Sequence, residues 1–116
     1  MKILVCGGRD YQNSKRVTDI LGKVDSEKGV DLIITGGATG ADALAGEWAD
    51  RNTVPRCEFP ANWDHLGKRA GPLRNGLMLE FMQPDAVIAF GGGKGTGNMV
   101  SQAKGSGVPV WEIDRE

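Results

Sequence analysis

The chain has 116 residues, which is enough for one domain with a single hydrophobic core. Its formal net charge of −1 argues against the broad basic surface that non-specific nucleic-acid binding needs, so no extended nucleic-acid partner is expected. The 18 glycines are more than twice the number expected at roughly 7% average usage, and they follow apolar runs, which indicates specialised loops.

The N-terminal apolar run, Ile3 to Cys6, is too short for a signal peptide or a membrane span. Cys6 and Cys57 suit free thiols in a reducing cytosol, although a disulfide between them is possible from sequence alone. A cytoplasmic protein with no membrane partner is therefore expected. His65 is the only histidine and no residues have metal-ligand spacing, so neither a metal nor a cofactor is predicted.

Apolar runs alternate with stretches of helical periodicity along the chain. Strands are predicted at 2–6, 31–35, 55–59, 86–90 and 108–113, and helices at about 13–28, 41–49, 72–82 and 96–104. Strands that are apolar on both faces and joined by helices are typical of a parallel sheet covered on each side. We predict an α/β fold, a Rossmann-like three-layer sandwich with a five-stranded parallel sheet of order 3-2-1-4-5, as one domain over residues 1–116.

Right-handed crossovers place the C-terminal ends of all the strands on one rim, where doubly wound sheets bind ligands. The loops at 7–10, 36–40, 60–65 and 91–97 meet there. The last loop has five glycines in seven positions, so a ligand can lie against bare backbone N–H groups. A helix that starts near Thr96 adds its positive end, which favours phosphate. The alternative is a tight strand-to-helix turn, for which one or two glycines suffice.

Standard phosphate-binding motifs do not fit this loop. A Walker loop needs Ser or Thr where Gly95 stands, and the pattern G-x-G-x-x-G reaches Asn98 or Thr96 in place of its third glycine. The sequence therefore predicts neither an ordinary P-loop NTPase nor an ordinary nicotinamide dehydrogenase.

Six segments together resemble the YspA-type, cpYpsA-related branch of the SLOG superfamily. They are 5–11, 35–42, 47–49, 60–63, 67–75 and 90–96. This superfamily shares a Rossmann-like sheet and includes the Lonely-guy phosphoribohydrolases and the DNA-processing protein A family. The resemblance implies a nucleotide or nucleotide-derived ligand, such as AMP, ADP-ribose or a cyclic nucleotide signal, in a branch often encoded by phages. It also implies a homodimer or higher homo-oligomer, and we expect its interface on the helix at 72–82, including Met78 and Met82.

The phosphoribohydrolases carry the motif G-G-x-G-T-x-x-E, in which the glutamate assists cleavage of the N-glycosidic bond. Met99 stands at that position here, and a thioether cannot handle a proton as a carboxylate does. The resemblance therefore implies phosphate binding without this route to catalysis, and it leaves open whether the protein is an enzyme. The resemblance implies that Gly92, Gly93, Gly95 and Thr96 bind phosphate. It also implies that Arg74 binds a phosphate or a ribose.

The leading hypothesis is a sensor or sequestering module for a small nucleotide-type ligand. The glycines expected at the ligand are Gly7, Gly8, Gly36, Gly37, Gly91, Gly92, Gly93 and Gly95. Arg9 and Arg74 are expected to supply charge, and directional hydrogen bonds are expected from Thr39, Asp42, Asn75 and Thr96.

The alternative function is a nucleotide hydrolase or N-glycosidase with Asp42 or Asp10 as its carboxylate. Asp42 is equally explained as a helix N-terminal charge, and Arg9-Asp10 as a turn ion pair. Trp63, and secondly Tyr11, is a candidate stacking surface for a base, although Trp63 equally suits a cap on the core. Trp48, on an apolar helical stripe, is expected in the core.

Overall fold

The computed structural model describes residues 1–61 and 63–113, with all of their side chains except those of Trp63 and Asp64. The strands are β1 (Lys2–Gly7), β2 (Leu32–Thr35), β3 (Arg56–Glu58), β4 (Ala86–Phe90) and β5 (Val110–Ile113). The helices are α1 (Ser14–Lys28), α2 (Ala41–Arg51), α3 (Trp63–Leu66), α4 (Ala70–Met82) and α5 (Lys94–Gly105), with a 3₁₀ turn at Gly67–Arg69.

The sheet has the predicted topology. Within the described residues its five strands are all parallel, in the order β3-β2-β1-β4-β5. β1 has β2 on one side and β4 on the other. From β1 the chain first adds β2 and β3 on one side of the sheet, and then returns to add β4 and β5 on the other side. This topological switch point lies between the loops that follow β1 and β4, and open α/β sheets bind their ligands at such a point.

Two apolar clusters, one on each face of the sheet, make the fold a three-layer sandwich. On one face α1 and α2 pack against the sheet, with Leu21 and Trp48 among the buried residues. On the other face α4 and α5 pack against Leu4, Ile34 and Val87. β4 is buried along its whole length between the two layers, and the loop after it emerges at the C-terminal edge of the sheet.

The helices begin in two different ways, and the difference bears on the rim. The Asn13 side chain caps α1 by accepting a 3.1 Å hydrogen bond from the Arg16 N–H. Both α2 and α5 begin after a glycine, Gly40 and Gly93, and neither has a side-chain cap among the described residues. α4 also lacks a side-chain cap, but α2 and α5 are the ones that start at the C-terminal ends of strands β2 and β4.

Several boundaries and one interface differ from the prediction. The short helix α3 and the 3₁₀ turn lie where a loop was expected, and α5 begins at Lys94, two residues before Thr96. Asn62 and the Trp63 side chain lie outside the described residues. The prediction that Met78 lies in an interface is wrong, because its side chain is only 2% exposed. Met82 is partly buried and packs against the apolar cluster that contains Met78. No helix in residues 1–61 or 63–113 has the length and apolar character to cross a membrane.

Substitution of Trp48 tests the apolar core between the sheet and helices α1 and α2. The Trp48 side chain is 2% exposed, so Trp48→Ala should lower the free energy of unfolding by about 3–5 kcal/mol. Trp111 on β5 is 39% exposed, and Trp111→Ala should cost about 1 kcal/mol or less. Urea unfolding followed by circular dichroism measures both values. Equal losses would contradict this assignment of the core.

Candidate functional site

The peptide groups of Gly8 connect three of the rim loops. Its N–H donates to the carbonyl of Gly91 at 3.0 Å, in the loop after β4, and to that of Phe90, the last residue of β4, at 3.2 Å. Its carbonyl accepts from Ala41 N at 3.1 Å, at the start of α2, and from Tyr11 N at 3.2 Å. The loops after β1, β2 and β4 therefore form one connected ledge above the switch point.

This connection requires backbone approach that a side chain would prevent. A Cβ at Gly40, where φ is +75°, would collide with the Gly8 carbonyl oxygen. A Cβ at Gly92 would lie 2.8 Å from the Gly8 nitrogen, and one at Gly7 would collide with the Phe90 oxygen. These three glycines are explained by packing alone.

The amides after β2 are engaged within the protein. Asp42 Oδ2 accepts hydrogen bonds from Gly36 N at 3.1 Å and Ala38 N at 3.2 Å, and Gly37 N lies 3.2 Å from Thr35 Oγ1. The expectation that the Gly36 and Gly37 amides are available for phosphate is therefore corrected. Asp42 instead organises this loop from the first turn of α2.

Arg74 and Asn75 hold α4 against the rim. Arg74 donates from Nη1 to the carbonyls of Gly36 at 3.2 Å and Phe59 at 3.1 Å, and from Nε to Asn75 Oδ1 at 2.9 Å. Asn75, 3% exposed, donates through Nδ2 to the carbonyl of Gly95 at 3.3 Å and to Asn98 Oδ1 at 3.1 Å. The expected ligand contacts of Asn75 are thus used to fix the first turn of α5.

Charges of both signs meet where these loops join. Burial raises the pKa of Asp42 to about 6, against the lowering effect of its two backbone hydrogen bonds and of Arg74 and Arg9. Burial also lowers the pKa of Arg74, which still remains protonated at neutral pH. Burial raises the pKa of the Cys6 thiol to about 12, so this free cysteine is not a nucleophile at neutral pH.

The loop from Gly91 to Gly97 differs from the loop after β2. Lys94, Gly95 and Thr96 form the first turn of α5, and the first N–H groups of a helix have no acceptor within it. Beside Gly93, Gly95 and Gly97 an added Cβ would meet no atom within 4 Å. The start of α5 therefore has no side-chain cap among the described residues and has open space beside its glycines.

A cavity of about 250 Å³ adjoins this helix start. It lies between the first two turns of α5 and the C-terminal ends of β4 and β5, and Gly93, Thr96 and Glu112 are among the residues that line it. Glu112 and Lys94 are candidate residues that the sequence reasoning missed. The available signal was their place at the rim, since Glu112 is near the end of the last strand and Lys94 begins the last helix.

The other predicted residues lie on or below the ledge. Arg9 and Asp10 are exposed on the loop after β1, and the Thr39 hydroxyl donates to the Arg9 carbonyl at 3.0 Å. The prediction that Tyr11 stacks on a base is wrong. Its side chain is 3% exposed, and its ring centroid lies 5.5 Å from that of Phe90. In the described residues no group of three or more His, Cys, Asp or Glu side chains is placed to hold a metal ion.

Comparison with known proteins identifies the family. The model of the YspA, cpYpsA-related SLOG family matches residues 1–65. The chain is also 32% identical over 118 aligned residues to the gene 61 protein of Mycobacterium phage D29, covering 94% of this chain and 93% of that protein. The chain belongs to the YspA, cpYpsA-related SLOG family. The resemblance found in its motifs is confirmed.

Two solved structures share the fold of this SLOG protein. DNA processing protein A from Streptococcus pneumoniae has a TM-score of 0.78 at 19% identity, over 97% of this chain and 50% of that one. The molybdenum cofactor binding protein from Rippkaea orientalis has a TM-score of 0.74 at 23% identity, over 100% of this chain and 78% of that one. The SLOG chain thus spans half the length of the first of these proteins.

The raised pKa of Asp42 predicts a pH dependence of stability. The folded protein holds this proton more tightly than the unfolded chain does, because the pKa rises from 3.8 to about 6 on folding. Ionisation of Asp42 should therefore lower the free energy of unfolding by about 3 kcal/mol as the pH rises from about 3 to 7. Asp42→Asn keeps an oxygen acceptor for the loop and should remove this fall, as measured by urea unfolding across that range. An unchanged pH slope in the variant would contradict the assignment.

Proposed function

We propose that the protein binds a small nucleotide-type ligand and that a phosphate of this ligand sits at the N-terminus of α5. The N–H groups of Lys94, Gly95 and Thr96 would donate to the phosphate oxygens, and the helix dipole would favour the negative charge. The rim loops are held together by the Gly8 peptide groups, so the site would need little reordering when the ligand binds. The role would be that of a sensor or a sequestering module.

The observation that carries this proposal is the set of glycines with no role in the protein's own packing. A side chain at Gly93, Gly95 or Gly97 would meet nothing, and none of the three has a positive φ. Gly95 and Gly97 lie inside α5, where glycine costs about 0.5–1 kcal/mol relative to alanine. A ligand lying against bare backbone explains why the chain keeps them.

Charge supports an anion at the same place. Lys94 is exposed at the first position of α5, where a cation opposes the helix dipole unless an anion is bound. Arg9 is exposed on the neighbouring loop, whereas Arg74 is turned toward the protein's own carbonyls. We therefore assign the ligand's charge partners to Lys94 and Arg9, and a positioning role to Arg74.

The packing of Met99 favours binding over turnover. It occupies the place of the glutamate in the phosphoribohydrolase motif, and it is 1% exposed in the core between the sheet and α5. The neighbour named as a molybdenum cofactor binding protein also has this fold, so a small cofactor-type ligand is compatible with it. The competing hydrolase function rests on Asp42, whose pKa of about 6 suits proton transfer near neutral pH.

Alanine substitution in the glycine loop tests the ligand site. The double variant Gly93→Ala, Gly95→Ala should fold with unchanged or higher stability and bind AMP or ADP-ribose at least about tenfold more weakly, since a lost phosphate contact is worth about 1.4 kcal/mol or more. Isothermal titration calorimetry measures the affinity. The control is Gly22→Ala in α1, where an added Cβ also meets nothing within 4 Å and where binding should not change.

Two results of this titration would oppose the proposal. One is equal affinity of the glycine variant and the control for every ligand tested. The other is absence of binding tighter than millimolar to AMP, ADP-ribose, cyclic ADP-ribose and cyclic dinucleotides. Ligand recovered intact after incubation supports binding alone, whereas release of base or phosphate that is lost in Asp42→Asn supports the hydrolase.

We also propose that the protein forms a homodimer through the outer face of α4. Leu73, Leu77 and Phe81 are 49%, 45% and 68% exposed and follow one another at intervals of four residues. Residues so spaced form one apolar stripe along a helix. This stripe replaces the interface first expected at Met78 and Met82.

The charges beside the stripe favour a second copy of the chain as its partner. Arg69, in the 3₁₀ turn just before α4, and Glu80, in the last turn of α4, are exposed near opposite ends of the stripe. Antiparallel pairing about a two-fold axis brings Arg69 of one copy toward Glu80 of the other. Parallel pairing would bring like charges together.

Sedimentation velocity tests the dimer. Leu77→Asp should give a monomer, whereas Trp111→Asp, at an exposed apolar side chain on β5, should leave the dimer unchanged. Arg69→Glu alone should weaken association, and adding Glu80→Arg should restore it. A monomeric protein at about 100 μM, or dissociation by both aspartate variants alike, would contradict this interface.

A further inference from the structure

The cavity beside α5 exists because small residues face one another across it. Gly93, just before α5, and Gly97, in its first two turns, line the cavity together with Ala89 of β4. Neither glycine would bring a Cβ within 4 Å of another atom. The protein thus leaves unfilled a space that larger residues at these positions would close.

The lining of this cavity is part apolar and part polar. Ala89 and Val100 contribute apolar surface, while Thr96 and Glu112 contribute a hydroxyl and a carboxylate. None of the described lining side chains is aromatic, so the cavity offers no stacking platform for a base. Its volume of about 250 Å³ is below the about 300–1,000 Å³ typical of sites for drug-sized ligands, which suits a single ring.

Glu112 is available to a ligand. It pairs with Lys104 at 3.0 Å, and the two side chains are 60% and 59% exposed. An ion pair so open to water contributes little, so a ligand can replace Lys104 without much loss. An ionised carboxylate only accepts hydrogen bonds, and it therefore selects hydroxyl or amino groups and rejects phosphate.

We infer that this cavity holds the sugar ring of a ribonucleotide and that Glu112 accepts hydrogen bonds from its hydroxyl groups. The inference rests on the proposed function, because the phosphate at the start of α5 would deliver the sugar to the adjoining cavity. The ring's carbon face meets Ala89 and Val100, and its hydroxyl edge meets the carboxylate. Glu112 is then the residue that distinguishes ribose from 2-deoxyribose.

Paired titrations of AMP, 2′-deoxy-AMP and inorganic phosphate test the inference. The unmodified protein should bind AMP at least tenfold more tightly than 2′-deoxy-AMP, because a site that pairs with a hydroxyl rejects the analogue without it. Glu112→Ala, which removes the acceptor, should reduce this ratio to about twofold or less. The control Lys104→Gln breaks the same ion pair and should keep the ratio.

Filling the cavity provides a second test. Gly97→Leu should weaken AMP binding at least tenfold, whereas Gly105→Leu, at an open glycine of the same helix outside the cavity, should leave AMP binding unchanged. Equal affinity of the unmodified protein for AMP and 2′-deoxy-AMP, with phosphate still bound, overturns the sugar site alone. Absence of binding by phosphate and both nucleotides overturns the proposed function as well.

Discussion

The rim of this protein depends on the hydrogen bonds of one residue, Gly8. Its N–H and carbonyl join the loop after β4 to the start of α2 through bonds of 3.0 and 3.1 Å. The bonds form because Gly40 and Gly92 allow the backbones to approach where a Cβ would collide. Three loops that are distant in sequence thereby become one rigid surface at the switch point of the sheet.

On this surface the glycine loops after β2 and after β4 have opposite roles. The amides of Gly36 and Gly37 serve the protein itself, because Asp42 and Thr35 accept from them. The first turn of α5 has no side-chain cap among the described residues, and its glycines face open space. Asn75 holds that turn in place through the Gly95 carbonyl, so its N–H groups are already oriented before a ligand arrives.

The sequence was sufficient for the fold and for the family. Apolar strands and periodic helices predicted the parallel sheet, and the motifs predicted the family that the comparisons confirm. Which glycine segment is available to a ligand was beyond sequence reasoning, because it depends on where the Asp42 carboxylate points. Likewise the burial of Tyr11 against Phe90 depends on packing between the loop after β1 and the end of β4.

The central claim is that the first-turn N–H groups of α5 bind the ligand's phosphate. The most direct test is a titration of ¹⁵N-labelled protein with AMP, followed by the amide resonances of Lys94, Gly95 and Thr96 in ¹H–¹⁵N correlation spectra. Our account predicts that these three resonances shift downfield in a saturable way, while those of Gly36 and Gly37 move much less. Saturable shifts confined to other parts of the chain, with the three α5 amides unmoved, would contradict it.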